Sequence, residues 1–298
     1  MPDLSSLWDL LSPSRLAHVV DVGANPLGDD PPYLSMLKAG LCHVTGFEPE
    51  QKAFLLLQKT CGPNESYLPY ALGDGNPQTL KVCTAASGMT SLFEPDPLTL
   101  ELFRGFEEFG KVIERVPLNT RRLDDIREIA HLDFLTIDVQ GSELAVFQNG
   151  RRKLAEAVAI QTEVSFITLY PDQPPLGEVD LELRRQGFVP HCFAAVKRWP
   201  IGEFTVGSDP RQALNQLLEA DIVYVRDFTR ANMMTDEQLK HLALIAHHCY
   251  GSFDLAFRCV VLLEDRRAVE AGSKRRYVEM VNARTPPWTA PVAWTQAP

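Results

Sequence analysis

The sequence predicts an α/β fold: a largely parallel sheet with helices on both faces. Three observations carry this. Short apolar runs recur along the chain with helix-patterned stretches between them. The first run ends in a glycine turn, "VVDVGAN" (19–25), the form taken by a strand that hands over to a ligand-binding loop. Carboxylates then close or follow four successive runs: Asp21, Glu48, Asp74 and Asp138. In an open parallel sheet, ligands gather at the carboxyl ends of the strands.

The elements follow in order. Residues 4–11 read as a short amphipathic helix, within an N-terminal unit of 1–16. Strands are expected at 17–23, 43–49, 66–72, 132–139, 157–166, 188–194 and 220–227, with helices at 33–40, 50–61, 142–149 and 177–187. Together they make a core of 17–228. An excursion, 75–131, interrupts it after the third strand. "QTLKVCT" and "KVIERVPLN" predict an extra strand pair or flap there, and 95–110 a short helix or mobile loop. Excursions of this length often carry substrate contacts. A helical extension follows at 229–283. Its first helix opens at Thr235 with Gln238 three residues on, a capping box, and aligns Leu239, Leu242, Ala243, Ala246 and Cys249 on one face. A second helix is expected at 253–270. Four prolines and two tryptophans mark 284–298 as a tail disordered in isolation, with Trp288 and Trp294 available to a partner.

Composition narrows the function. The 298 residues are 45% hydrophobic, enough for a large core, and carry a formal net charge of -10. So acidic a chain is a poor match for a phosphate backbone, and no nucleic-acid partner is expected. The six cysteines form no C-x-x-C pair, which suits reduced thiols and a cytoplasmic enzyme. The N-terminus has no signal-peptide pattern, and no run reaches the ~18 apolar residues of a membrane span.

The acidic strand ends suggest a ligand. Gly23 and Ala24 leave room for close backbone approach, and Pro49 stiffens the turn behind Glu48. Glu48 can accept two hydrogen bonds from a ribose diol, as the acidic residue of dinucleotide folds does. A pyrophosphate would be repelled by Asp21 and Asp138, and no Lys or Arg stands in the first turn to offset them. S-adenosylmethionine fits better, because it has a ribose, an adenine, an ammonium and a sulfonium but no phosphate. An adenine contact can come from the Asp74 side chain or from the backbone of Ala71 and Leu72; "GDGN" is also a turn signature in its own right.

"VVDVGAN", "GFEPE", "YALGDGNPQTLKV", "VPLNTRRLDDI" and "LDFLTIDVQGSELAVFQNG" resemble, in order from about residue 18 to 193, the successive motifs of the FkbM family of S-adenosylmethionine-dependent methyltransferases. The resemblance implies a class I methyltransferase (Rossmann-like) sheet of seven strands, the last antiparallel. It implies O-methylation of a hydroxyl on a sugar, glycan or polyketide-like small molecule. Carried onto this chain, the cofactor set is Asp21, Gly23, Ala24, Asn25, Glu48, Pro49, Ala71, Leu72, Asp74, Asp138, Val139 and Gln140. Two departures stand out. Pro26 to Pro32 insert a loop after "DVGAN", and Gln140 stands where the family more often has Glu. The inserted loop is expected to rim the methionine end, with Asp29 or Asp30 near the ligand's ammonium or the acceptor.

A hydroxyl acceptor must lose its proton as it attacks. Asp138 and Glu163 are the leading candidates to orient or deprotonate it, and His191 is a third. Asp138 could instead cap the helix near Ser142. No spacing demands a divalent metal between Asp138 and Glu163. "MTSL" (89–92) reads as an adenine- or substrate-side loop or as a plain polar turn. His241, His247 and His248 read as solvated helix histidines, Arg121 and Arg122 as a solvated face, and Lys274–Arg276 as the polar end of a helix. The C-terminal helices offer a surface for a homodimer. Two other functions compete. An NAD-dependent sugar-nucleotide oxidoreductase is disfavoured by the incomplete G-x-G-x-x-G and by Asp21. A non-catalytic binding protein on a methyltransferase scaffold would use the C-terminal helices and tail.

Overall fold

The computed structural model describes residues 5–25, 30–84, 88–207, 209, 212 and 214–284. Asp29, Trp288 and Trp294, on which sequence expectations fell, lie outside them.

Among the described residues, nine strands form two sheets. β1 (Ala17–Val22), β2 (Cys42–Phe47), β3 (Glu65–Leu68), β6 (Phe134–Ile137), β7 (Ala159–Ser165), β8 (Phe188–Arg198) and β9 (Leu217–Arg226) make a seven-stranded sheet in the order β3-β2-β1-β6-β7-β9-β8. β1, β2, β3, β6 and β7 run parallel. β9 is antiparallel to both of its neighbours. This is the class I methyltransferase sheet, with its last strand reversed. β4 (Pro77–Cys83) and β5 (Val112–Asn119) pair as a separate antiparallel ribbon, the flap expected after the third strand.

The helices are α1 (Ser5–Leu11), α2 (Leu34–Lys38), α3 (Gln51–Thr60), α4 (Pro97–Glu101), α5 (Phe106–Phe109), α6 (Glu143–Gln148), α7 (Arg151–Leu154), α8 (Leu176–Arg185), α9 (Asp236–Tyr250), α10 (Phe253–Asp265) and α11 (Ser273–Arg284). The two-residue period of a strand sends neighbouring side chains to opposite faces. Val19 joins Val44, Phe134 and Val223 against α1, α9 and α10. Val20 and Val22 join Leu135, Ile137 and Ile160 against α6 and α8. A sheet buried on both sides explains the near-continuous apolar runs of the sequence. A third cluster, Met89, Leu100, Phe103, Phe106, Leu169, Tyr170 and Leu218, gives the excursion a core of its own.

Several boundaries shift. β3 stops at Leu68, and Leu72 forms only an isolated bridge with Arg121. β8 runs on to Arg198 because β9 pairs with it throughout. The helix expected at 253–270 ends at Asp265; Arg267 (φ 61°) and Gly272 (φ 91°) turn the chain into α11. Lys274–Arg276 lie in the first turn of α11 and pair with Glu264, Asp265, Glu270 and Glu279. Among the described residues, no helix is long and apolar enough to cross a membrane.

The capping box of α9 is present. Thr235 Oγ1 accepts the Gln238 N–H and Gln238 Oε1 accepts the Thr235 N–H. Thr235→Ala is expected to cost ~1 kcal/mol in urea unfolding. Two histidines of α9 correct the sequence reading, since His241 and His247 are buried. His241 Nδ1 lies 2.7 Å from Asp133 Oδ1, and His247 Nδ1 lies 3.0 Å from the Tyr277 hydroxyl.

Candidate functional site

The carboxyl ends of β1, β2, β6 and β7 lie along one edge of the sheet, set by the parallel register. The turn after β1 is held tightly there. Gly23 and Ala24 both donate to the Phe47 carbonyl, at 2.9 and 3.1 Å, and Asp138 N–H donates to the Val22 carbonyl at 3.0 Å. Gly23 has φ 85°, and a Cβ at this position would lie 2.0 Å from the Asp138 carbonyl oxygen. Only glycine fits there. Asn25 continues the turn through its N–H to the Gly23 carbonyl.

Asp21 reaches inward from β1. The Tyr33 hydroxyl donates to its Oδ2 (2.5 Å) and the Thr136 hydroxyl to its Oδ1 (2.7 Å). Burial raises its pKa against these two donors. One hydroxyl thus already sits on each oxygen. Tyr33 and Thr136 were not read from the sequence, because neither belongs to a local pattern. Asp30 is exposed.

Glu48, just past β2, is 6% exposed. Its Oε1 accepts the Glu50 N–H at 2.7 Å, while Glu50 itself caps α3 through the Lys52 and Ala53 N–H groups. Burial pushes the Glu48 carboxyl up to about 7. The second oxygen of Glu48 has no protein donor among the described residues. Pro49 lies between the two glutamates.

The segment after β3 is tied to the residues following β5. Arg121 N–H donates to the Ala71 carbonyl and Gly73 N–H to the Arg121 carbonyl, both at 2.9 Å. The Arg121 guanidinium stacks 3.5 Å over the Tyr70 ring, and Arg122 Nε donates to the Asp74 carbonyl. Asp74 accepts from Asn76 N and Nδ2 and, at 3.3 Å, from the Thr120 hydroxyl. Its side chain therefore fixes the "GDGN" turn. Ala71 and Leu72 are buried.

The densest cluster follows β6. Gln140 takes a left-handed conformation (φ 54°) ahead of Gly141 (φ 108°), a strain of ~1–3 kcal/mol that surrounding contacts must hold. They do. The Ser91 hydroxyl donates to the Gln140 carbonyl (2.7 Å) and the Tyr170 hydroxyl to its Oε1 (3.3 Å). The Gln140 amide donates to both Asp138 Oδ1 (2.8 Å) and Glu163 Oε2 (2.6 Å). Glu143, buried at the start of α6, accepts the Val139 and Gly141 N–H groups. Burial still pushes Glu143 up to about 7. Glu219 on β9 is also buried and pairs with Lys197 of β8.

Asp138, Glu143 and Glu163 bring carboxylate oxygens within 4.8 Å of one another. The Gln140 amide already spans the gap between Asp138 and Glu163, where a bridging cation would have to sit. The "MTSL" segment is drawn in through Ser91. The sequence reading missed Glu143, although it stands in the quoted "QGSE" next to Gln140; Glu219, Lys197 and Tyr170 come from distant segments and carry no local signal. His191 lies apart from this edge. It sits in the first half of β8, with Nε2 2.7 Å from the Ser252 hydroxyl, and β8 places its neighbour Pro190 opposite Tyr224, level with Ile160 near the start of β7.

Residues 21–190 match the family model described as the methyltransferase FkbM domain. Among curated proteins, none matches the chain. Two solved structures are similar at low identity. Magnesium protoporphyrin IX methyltransferase from Synechocystis PCC 6803, with bound SAM, is 10% identical with a TM-score of 0.36, over 75% of this chain and 79% of that one. Precorrin-6y C5,15-methyltransferase from Geobacter metallireducens GS-15 is 10% identical with a TM-score of 0.33, over 75% and 88%.

Proposed function

The chain belongs to the FkbM methyltransferase domain family and is a methyltransferase; from that premise we propose that it uses S-adenosylmethionine to methylate a hydroxyl of a sugar, glycan or polyketide-like small molecule. One observation carries the cofactor. Four carboxylates, Asp21, Glu48, Asp138 and Glu163, lie at or near the carboxyl ends of neighbouring strands, and no Lys or Arg occurs between Arg15 and Lys38. Such an edge favours a cationic ligand over a pyrophosphate.

The residues fit that ligand. The free oxygen of Glu48 and its closeness to the Gly23 turn suit a ribose diol. The backbone of Gly23, Ala24 and Asn25, with Asp21 behind it, suits the methionine end. Ala71 and Leu72 suit the adenine through their backbone, with Asp74 holding their turn, and Asp138, Val139 and Gln140 line the sulfonium side. When bound, S-adenosylmethionine supplies a methyl group already activated for displacement. The protein's task is then alignment of the acceptor oxygen, a contribution of up to ~7–11 kcal/mol, and acceptance of its proton, roughly 10²- to 10⁴-fold in rate. We assign both roles to Asp138 and Glu163, whose carboxylates the Gln140 amide joins. The six cysteines, all free, suit a reducing cytoplasm.

Calorimetric titration with S-adenosylmethionine tests the cofactor. Binding is expected, and Glu48→Gln should weaken it roughly 10- to 100-fold through loss of charge-assisted hydrogen bonds. No binding at high micromolar ligand would sink the reading. Transfer of labelled methyl into fractionated glycans and small molecules then identifies the acceptor.

A further inference from the structure

We infer that Glu163 is a proton carrier tied to the charge of the cofactor: protonated in the free protein, it gives up that proton when the cationic cofactor binds, and it takes one back from the acceptor hydroxyl during transfer. The inference rests on the cofactor reading above.

The geometry singles out Glu163 among four carboxylates. Asp138 is exposed to water. Glu143 is held by two backbone N–H groups. Glu219 has the Lys197 ammonium. Glu163 has the neutral Gln140 amide, and no Lys, Arg or His among the described residues lies in ion-pair contact with it. The charged and titratable groups around it are Asp138 after β6, Glu143 of α6, Glu219 of β9, Lys197 of β8 and the Tyr170 hydroxyl beyond β7. Asp221 of β9 stands opposite it in register. One ammonium against so many carboxylates cannot keep them all ionised in a poorly solvated corner. Burial and the charges of Asp138, Glu219 and Glu143 accordingly hold Glu163 well above the ordinary carboxyl range.

A sulfonium and an ammonium brought to this edge reverse the balance, and the Glu163 proton leaves for solvent. The site is then ready to accept another. As the acceptor oxygen bonds the methyl carbon, the carbon–sulfur bond breaks and its electron pair remains on sulfur. The acceptor O–H bond breaks, and the proton passes to the Glu163 carboxylate. The sulfur is now a neutral thioether, so the charge that had ionised Glu163 is gone and the protonated form is again the stable one. Each cycle consumes one hydroxyl and one sulfonium and releases one proton, at cofactor binding rather than at transfer.

The test is proton release on binding, measured by calorimetry in buffers of different ionisation enthalpy at neutral pH. S-adenosylmethionine should release about one proton more than S-adenosylhomocysteine, whose sulfur is uncharged. In Glu163→Gln that difference should vanish while both ligands still bind. Equal release for the two ligands in the parent protein overturns the inference but leaves the cofactor assignment standing. An undiminished difference in Glu163→Gln overturns it as well. Failure of the parent protein to bind either ligand sinks both readings.

Discussion

Gly23→Ala is expected to destroy cofactor binding, lowering affinity for S-adenosylmethionine more than ~100-fold, and to cost the fold several kcal/mol. Two effects add. The φ of 85° is a left-handed conformation, costly for a residue with a Cβ by ~1–3 kcal/mol. The added Cβ would also sit 2.0 Å from the Asp138 carbonyl oxygen, far inside van der Waals contact. That carbonyl cannot move aside freely. Asp138 N–H is bonded to Val22, and the Asp138 side chain is bonded to Gln140. Relief must therefore come from the turn itself, which would pull Gly23 and Ala24 off the Phe47 carbonyl. Urea unfolding and calorimetric titration read the two consequences separately. Parent-like stability and affinity in Gly23→Ala would show that the turn is softer than its contacts imply.

The alternation of strands and helices was readable because parallel strands buried on both faces leave near-continuous apolar runs, such as "FLTI" in β6. The strand-end carboxylates were readable for a related reason. Parallel order puts every strand's last residue on one edge, so sequence position alone predicts proximity. What could not be read is which partner each carboxylate meets. Tyr33 reaches Asp21 from a separate loop, and Lys197 reaches Glu219 across the β8–β9 pair. The overrun of β8 follows from pairing rather than propensity, since "AAVKR" is a weak strand former without β9 beside it. The burial of His241 depends on Asp133, 108 residues away. A helical wheel of α9 shows only a polar residue interrupting an apolar face.

That buried histidine belongs to the cluster behind the second large effect. Asp133→Ala is expected to destabilise the protein by ~3–5 kcal/mol while leaving cofactor affinity within about threefold of the parent. Asp133 precedes β6 and is 1% exposed at its side chain. It accepts two hydrogen bonds from the Arg15 guanidinium (2.5 and 2.9 Å) and one from the His18 N–H (2.8 Å), and His241 Nδ1 lies 2.7 Å away. One carboxylate thus joins the segment before β1, the start of β6 and helix α9. Without it, Arg15 and His241 lose their common acceptor, and a buried backbone N–H is left unpaired. Arg15 is 28% exposed and can turn partly to water, so the loss should fall in the lower half of that range. Asp133 stands at the amino end of β6 and the cofactor edge at its carboxyl end, so the stability loss should not travel into binding.

Acid should act through the same cluster. Burial alone would raise the Asp133 carboxyl, but hydrogen bonds from His241 and Arg15 overcome it and hold the group well below its ordinary value of about 3.9. A carboxyl depressed in the folded state contributes stability that is full above its unfolded pKa and fades as pH falls below about 4. His18 reinforces the trend from higher pH. Burial lowers its pKa to about 4, so its contribution is full above its ordinary value of about 6.5 and fades as pH falls from there toward 4. Glu48, Glu143 and Glu163, raised by burial, act in the opposite sense as pH falls from 7 toward 4.5, so the Asp133 cluster is read in the difference between the parent and Asp133→Ala. That difference should hold from pH 7 to pH 5 and shrink as pH falls below about 4. A difference that does not shrink between pH 5 and pH 3, or a variant within about 1 kcal/mol of the parent at pH 7, would show that α9 is held to the sheet by its apolar face alone.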